Sequence, residues 1–263
     1  MTSAIRTDAL KGRVALVTGG SKNLGRAISV GLAEAGADVA VAGFSSPAEV
    51  EETVAMVKAA GRKAVGLLGD VSSAADVERM VGEATAALGP IDILVSNASQ
   101  RPRRAFVDLT VEEWDDIIRN NLSASFYFSR LVVPGMKARK FGRIILIGGP
   151  DGQRPEPYSG AATRAHCNTA KAGLIGLMKA IAMEFGDDGI TSNVVSPGIM
   201  NTTRDLKNYP HWPMPREELQ RRLAIPRMGE PNEVADMCAF LASDSAAYVT
   251  GQTVHVSGGY LTP

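Results

Sequence analysis

The chain has 263 residues, of which 28 are basic and 28 acidic, so its formal net charge is zero. A neutral chain has no overall field that would attract nucleic acid or an anionic membrane surface. No apolar run reaches the roughly 18 residues of a transmembrane helix, and the N-terminal segment lacks the apolar core of a secretory signal. We therefore expect a cytoplasmic protein in which residues 1–263 form one domain that recognises a small molecule.

The two cysteines, Cys167 and Cys238, are too few for a disulfide framework. Neither has a second cysteine or a histidine at the spacing typical of metal ligands. The sequence therefore predicts a protein without a metal site.

Short apolar runs alternate with stretches of helical periodicity, which is typical of βαβ units and a parallel sheet. The predicted strands are Val14–Thr18, Val39–Ala42, Ala64–Leu68, Ile93–Ser96, Arg143–Ile147, Thr191–Val195 and Thr253–Val256. The predicted helices are Leu24–Ala35, Pro47–Ala60, Ala74–Leu88, Val111–Ala138, Asn168–Phe185 and Asn232–Ala242. This order predicts an α/β fold with a Rossmann-type, doubly wound parallel sheet flanked by helices on both faces.

The segment at about 200–226 is rich in proline and interrupts this alternation. A segment after a late strand lies over the carboxyl edge of the sheet, where open α/β folds bind their ligands. We interpret it as a substrate lid, and a plain surface insertion is the alternative.

A glycine-rich turn follows the first predicted strand and precedes a helix. Glycines let the backbone turn sharply and approach a pyrophosphate, which the free N–H groups of the helix N-terminus bind. Asp70 and Val71 end the third strand, where a carboxylate can accept a hydrogen bond from an adenine amino group. Asn97 and Ala98 follow the fourth strand, where a ribose must pass. The predicted contacts from the turn itself are Gly19, Ser21, Lys22, Asn23, Leu24 and Gly25.

These segments resemble the motifs of the short-chain dehydrogenase/reductase family over nearly the whole chain. The family's TGxxxGxG corresponds here to TGGSKNLG, in which Asn23 replaces the middle glycine, and its NNAG corresponds to SNAS. Asparagine tolerates left-handed backbone geometry better than most residues. The family's later PG segment corresponds to Pro197 and Gly198. The resemblance implies that Ile199 and Thr202 hold the nicotinamide carboxamide.

The end of the second strand bears on cofactor choice. An NAD-preferring site usually has an acidic residue there, which binds the ribose 2′-hydroxyl, and this chain has Gly43. Lys22 occupies a position where NADP-using members of the family often carry a basic residue, and Ser45 and Ser46 offer hydroxyl donors to a phosphate. This pattern favours NADP(H) over NAD(H). The alternative is that Lys22 is a solvated surface charge.

In the family, a tyrosine four residues before a lysine moves the proton, a serine steadies the carbonyl oxygen, and an asparagine completes a proton relay. Asn121 and Lys171 match the asparagine and the lysine. The two serine positions are Gly148 and Gly149, and Cys167 stands where the tyrosine is expected.

Three residues are candidates for the missing acid. Cys167 lies one helical turn from Lys171 on the same face, and a nearby ammonium favours its thiolate. Tyr158 lies in a loop about five residues longer than in the family, which could fold over the nicotinamide. His166 lies about 140° around the helix from Lys171, so it points away unless the helix begins later. Each also has a plain interpretation, as a buried filler, a loop residue and a local hydrogen-bonding residue respectively.

We therefore expect an NADP(H)-dependent oxidoreductase that acts on a small-molecule carbonyl or alcohol with a non-standard proton donor. An enoyl- or dienoyl-type reductase is an alternative, because the 2,4-dienoyl-CoA reductase branch also lacks this tyrosine and keeps the lysine. A cofactor-binding protein without redox activity is another. The predicted helices Val111–Ala138 and Asn168–Phe185 resemble those that pair across the family's main interface, so we expect a homotetramer.

Overall fold

The computed structural model describes residues 8–150, 164–203 and 212–260. Its strands are β1 (Val14–Thr18), β2 (Asp38–Gly43), β3 (Ala64–Leu68), β4 (Ile93–Ser96), β5 (Gly142–Ile147), β6 (Ile190–Pro197) and β7 (Thr253–Val256). They form one parallel sheet in the order β3-β2-β1-β4-β5-β6-β7. The seven predicted strands are thereby confirmed, with bounds that move by at most two residues.

The strand order reverses between β1 and β4, which are neighbours in the sheet although two strands separate them in the chain. Strands β1, β4, β5 and β6 are buried along their whole length, as expected for parallel strands covered on both faces. Open sheets bind ligands at the carboxyl ends of the strands where the order reverses. The fold therefore places the turn after β1 beside the loop after β4.

The helices are α1 (Asn23–Glu34), α2 (Pro47–Ala59), α3 (Ala74–Leu88), α4 (Val111–Ile118), α5 (Ala124–Arg139), α6 (Ala165–Phe185), α7 (Arg216–Arg222) and α8 (Pro231–Ala242). Side-chain hydrogen bonds cap the first turns of α2 and α4. The Ser46 hydroxyl caps α2 by accepting from the Glu49 N–H at 3.4 Å, and Thr110 and Glu113 form a reciprocal capping box on α4. None of the helices within the described ranges is both long enough and apolar enough to cross a membrane.

Two apolar layers cover the sheet. Helices α1, α2 and α8 pack on one face, where Ile28 and Val234 are fully buried. Helices α3, α5 and α6 pack on the other face, around Phe128, Met136 and Leu174. The two layers hold the strand ends in place and leave the carboxyl edge to the loops.

Two helix predictions need correction. The single helix predicted at Val111–Ala138 is divided by a wide π-helical turn at Arg119–Ser123, which carries Asn121. The turn contains no proline or glycine, so the sequence has no local signal that would reveal the break. Helix α6 begins three residues earlier than predicted, at Ala165. The predicted lid segment contains α7, and its residues 204–211 lie outside the described residues.

Candidate active site

A cleft of about 490 Å³ lies at the carboxyl edge of the sheet, and the loops after the first six strands line it. Most residues predicted to bind a dinucleotide are in its lining. They are Gly19, Ser21, Lys22, Asn23, Leu24, Gly25, Ser45, Asp70, Val71, Asn97, Ala98, Pro197, Gly198 and Thr202. Two predicted residues are not in it. Ile199 packs against the small cluster around Leu219 and Tyr260, and Lys171 lies deeper.

The turn after β1 is close-packed against its neighbours. A Cβ atom on Gly25 would lie 1.9 Å from the Gly19 carbonyl oxygen, and one on Gly19 would lie 2.9 Å from Ala98 Cα. Asn23 has a φ of 48°, which confirms that asparagine adopts the left-handed geometry that the family's middle glycine would supply. The turn therefore brings bare backbone to the floor of the cleft.

Thr18 and Asn97 join the turn after β1 to the loop after β4. The buried Thr18 Oγ1 accepts hydrogen bonds from the backbone N–H groups of Asn97 at 3.0 Å and Ala98 at 3.1 Å. Asn97 Nδ2 in turn donates to the carbonyl oxygens of Thr18 at 3.1 Å and Gly19 at 2.9 Å. Thr18 was not among the predicted site residues, although its place directly before the glycines was the available signal.

A hydrogen bond across the cleft joins the glycine turn to the segment after β6. The backbone N–H of Thr203 donates to Asn23 Oδ1 at 3.0 Å. The neighbouring Thr202 carbonyl accepts from Trp212 Nε1 at 2.9 Å. The side chain at the family's middle-glycine position therefore also fixes the opposite wall of the cleft.

The β2 end of the cleft carries opposite charges. Lys22 Nζ lies 3.3 Å from Glu49 Oε2, and both residues line the cleft. A Cβ on Gly43 would lie 2.4 Å from Val50 Cγ2, so the strand end has no room for an acidic side chain unless the Val50 side chain moves. The nearby Arg26 is held elsewhere, because its guanidinium donates to the Ser21 carbonyl at 2.8 Å. Glu49 was not predicted, because only the folded α2 brings it to Lys22.

Asp70 organises the loop after β3. Its Oδ1 accepts from the N–H of Ser72 at 2.8 Å and from the Ser72 hydroxyl at 2.7 Å. Its own N–H donates to Asp76 Oδ2 at 2.8 Å. This N–H, together with Arg79, lowers the pKa of Asp76 below its usual value.

Asn121 and Cys167 meet at the backbone of Gln100. Asn121 Oδ1 accepts from the Gln100 N–H at 2.8 Å, and Asn121 Nδ2 donates to the Gln100 carbonyl at 2.7 Å. The thiol of Cys167 donates to the same carbonyl at 3.4 Å and is buried. Lys171 Nζ donates to the Ile147 carbonyl, at the end of β5, at 2.7 Å. The structure thus gathers three of the four predicted catalytic residues behind the wall of the cleft.

The other two acid candidates have different outcomes. Tyr158 lies outside the described residues. His166 is buried on α6, with an electrostatic contact to Glu113 of α4 and a hydrogen bond to the Arg164 backbone. Burial lowers the pKa of His166, and its Nδ1 has no hydrogen-bond partner within the described ranges. His166 therefore faces α4 and not Lys171, which agrees with its predicted angle around the helix.

Polar groups that the sequence analysis missed also line the cleft. Asn120 Oδ1 and Ser99 Oγ are buried and have no hydrogen-bond partner in the part of the chain that the structure describes. Arg101 lies on the same side, after β4. A Cβ on Gly149 would meet no atom of the described residues within 4 Å. Polar side chains thus border the part of the cleft that follows β4.

The sequence is similar to those of known reductases. The family model described as enoyl-(acyl carrier protein) reductase matches residues 19–261. The chain is 39% identical over 251 residues to 3-oxoacyl-[acyl-carrier-protein] reductase FabG of Escherichia coli (strain K12), covering 95% of this chain and 97% of the relative. It is 36% identical over 252 residues to acetoacetyl-CoA reductase of Shinella zoogloeoides, covering 94% and 98% respectively.

Two solved structures show the same fold over almost all of the chain. A putative gluconate dehydrogenase from Agrobacterium tumefaciens has a TM-score of 0.89 at 32% identity, covering 98% of this chain and 99% of that one. A blue fluorescent protein from a metagenomic library, in complex with NADPH, has a TM-score of 0.86 at 32% identity, covering 97% of this chain and 100% of that one.

The glycines of the cleft should differ sharply in their tolerance of a methyl group. Gly25→Ala places a Cβ against the Gly19 carbonyl, so we expect the free energy of unfolding to fall by about 2 kcal/mol or more. Gly149→Ala enters open space and should change it by less than about 0.5 kcal/mol. Chemical denaturation of both variants measures this difference, and equal stabilities would contradict the packing described for the turn.

Proposed function

Because the chain belongs to the short-chain dehydrogenase/reductase family of oxidoreductases, we propose that it transfers hydride between NADP(H) and a small-molecule carbonyl or alcohol. The observation that carries this proposal is the shared cleft. The glycine turn, the loops holding Asp70 and Asn97, and the Pro197–Thr202 segment line one cavity at the reversal point of the sheet. These segments carry the motifs that resemble those of the family. A dinucleotide bound in the cleft would contact all of them.

The residues of the cleft fit a dinucleotide. The bare backbone at Gly19 and Gly25 leaves space for a pyrophosphate at the N-terminus of α1. Asp70 would accept from the adenine amino group, and Thr202 would hold the nicotinamide carboxamide. When bound, NADP(H) supplies or accepts the hydride. The protein orients the nicotinamide and provides the proton.

NADP(H) is the proposed cofactor because the β2 end of the cleft has a cation and no carboxylate on the strand itself. Lys22 lines the cleft there, beside the hydroxyl of Ser45. Gly43 cannot be replaced by an acidic residue without displacing Val50. A solved structure with the same fold contains NADPH, which supports the preference.

Lys22→Ala should weaken NADPH binding about tenfold or more and leave NADH binding nearly unchanged, because only the 2′-phosphate needs the ammonium. Cofactor fluorescence titration measures both affinities. Lys58→Ala, on the exposed side of α2 and away from the cleft, removes the same charge as a control. Equal affinities in the parent protein, or an unchanged preference in Lys22→Ala, would overturn the assignment.

We propose 3-oxoacyl thioesters as the substrate class to test first. The E. coli relative is by name a reductase of 3-oxoacyl groups on acyl carrier protein, and the Shinella relative is a reductase of acetoacetyl-CoA. Both names describe a ketone two carbons from a thioester. The side chains of Ser99, Asn120 and Arg101 line the cleft and would offer polar groups to the polar ends of such a molecule.

The proposed proton donor is Tyr158. Gly148 and Gly149 stand at the family's serine positions, and Cys167 at its tyrosine position. The Cys167 thiol is buried and bonded to the Gln100 carbonyl, which argues against its donating a proton into the cleft. We propose that Lys171 holds the nicotinamide ribose and lowers the pKa of the donor.

Asn121 has a different proposed role. Its carboxamide makes two hydrogen bonds to the backbone of Gln100, a residue that lines the cleft. Asn121 is itself buried. We therefore propose that it acts as a positioning residue, which fixes the loop after β4 at the substrate end of the cleft.

Tyr158→Phe should lower turnover of a 3-oxoacyl thioester with NADPH about 10²- to 10⁴-fold and leave cofactor affinity unchanged, as expected for a group that acts only in the transition state. Cys167→Ala should have a small effect, and Lys171→Ala should lower both affinity and rate. Tyr127→Phe and Cys238→Ala are matched controls away from the cleft. The opposite pattern for Tyr158 and Cys167 would assign the proton to the thiol.

Reduction of an activated double bond is the second candidate. No side chain of the described residues would contact a Cβ on Gly149, and the matching family model carries the name of an enoyl reductase. Parallel turnover assays with a 3-oxoacyl thioester and a 2-enoyl thioester distinguish the two activities. If neither is turned over while NADPH still binds, a cofactor-binding protein without redox activity becomes the better proposal.

We also propose a homotetramer. Exposed apolar side chains lie on the helices that resemble the family's interface, and they include Val111, Phe126 and Met183. Leu174 and Ile181 of α6 instead pack inside the chain's own core. Light scattering at micromolar concentration should give four times the 27.7 kDa chain mass. The mass of a single chain would contradict this prediction.

A further inference from the structure

The carboxylate of Glu49 shares the β2 end of the cleft with Lys22, the one cation that the described residues place there. Glu49 Oε1 and Oε2 lie 3.4 Å and 3.3 Å from Lys22 Nζ, and both side chains line the cleft. The exposed fractions of the Lys22 and Glu49 side chains are 62% and 35%. A ligand that enters this part of the cleft therefore meets the ion pair as well as the lysine.

Within the described residues, no second cation is available at this end. Arg26 donates to the Ser21 carbonyl, the Thr53 hydroxyl and Glu52, and it does not line the cleft. Arg101 lines the cleft but follows β4, on the opposite side of β1 from β2. A phosphate at the β2 end must therefore compete with Glu49 for Lys22.

The position of Glu49 follows from the start of its helix. The Ser46 hydroxyl caps α2 and accepts from the Glu49 N–H, and the first turn contains Pro47. A carboxylate in the first turn is favoured by the helix dipole. The cap thus places the Glu49 side chain beside the end of β2, where an acidic side chain at Gly43 would displace Val50.

We propose that Glu49 is a specificity-determining residue that weakens the preference of this protein for the 2′-phosphorylated cofactor. This inference rests on the proposed NADP(H) function. A 2′-phosphate carries a charge near −2 and must separate Lys22 from Glu49, after which the carboxylate lies close to the phosphate. The 2′-hydroxyl of NAD(H) is uncharged, so its binding does not require the ion pair to separate, and the hydroxyl can donate a hydrogen bond to Glu49. Glu49 on α2 thus provides a carboxylate at the end of β2, where Gly43 provides none.

The test compares Glu49→Gln with Glu52→Gln. Both variants remove one negative charge from α2, but Glu52 pairs with Arg26 at 2.7 Å and does not line the cleft. In Glu49→Gln, NADPH should bind about tenfold tighter while NADH binding stays the same or weakens. In Glu52→Gln, the ratio of the two affinities should stay at the parent value. Fluorescence titration of both cofactors at one fixed ionic strength measures the ratios.

A second variant, Glu49→Ala, should shift the ratio in the same direction, which excludes an effect particular to the glutamine amide. Circular dichroism of each variant verifies that it is folded. If the parent binds both dinucleotides and Glu49→Gln shifts the ratio no more than Glu52→Gln, this inference is overturned and the proposed function stands. If the parent binds neither dinucleotide, the proposed function falls and this inference with it.

Discussion

The hydrogen bonds between Thr18 and Asn97 are the constraint on which the rest of the site depends. They join two strands that are neighbours in the sheet and distant in the chain, at the point where the strand order reverses. Because the turn after β1 is fixed against the loop after β4, the backbone of Gly19 forms the floor of the cleft. Asn121 extends the same framework by fixing the backbone of Gln100, which lies in the same loop after β4 as Asn97.

Features with a local cause could be predicted from the sequence. Parallel strands buried on both faces appear as short apolar runs, so all seven strands, including β1 and β6, could be located. The glycine turn could be found because close backbone approach excludes side chains, as the contact between Gly25 and the Gly19 carbonyl illustrates. The left-handed conformation of Asn23 follows from an intrinsic property of asparagine.

Features that depend on contacts between distant segments could not be predicted. The π-helical turn at Arg119–Ser123 contains no proline or glycine that would mark it in the sequence, and the hydrogen bonds of Asn121 are made to a residue 21 positions away. Glu49 reaches Lys22 only across the groove between α2 and the glycine turn. Ile199 turns toward the cluster around Tyr260 although its sequence neighbours line the cleft. Periodicity and motif spacing contain no information about such distances.

The hydrogen bond from Thr203 to Asn23 has a consequence for attempts to redesign this protein. It connects residues 180 positions apart, one in the turn that would face the cofactor and one in the wall that would face the substrate. An exchange of glycine turns between relatives, made to change the cofactor, would in this chain also remove an anchor of the substrate wall. The glycine turn and the wall after β6 therefore cannot be exchanged independently of each other. A substitution that removes the Asn23 carboxamide changes both.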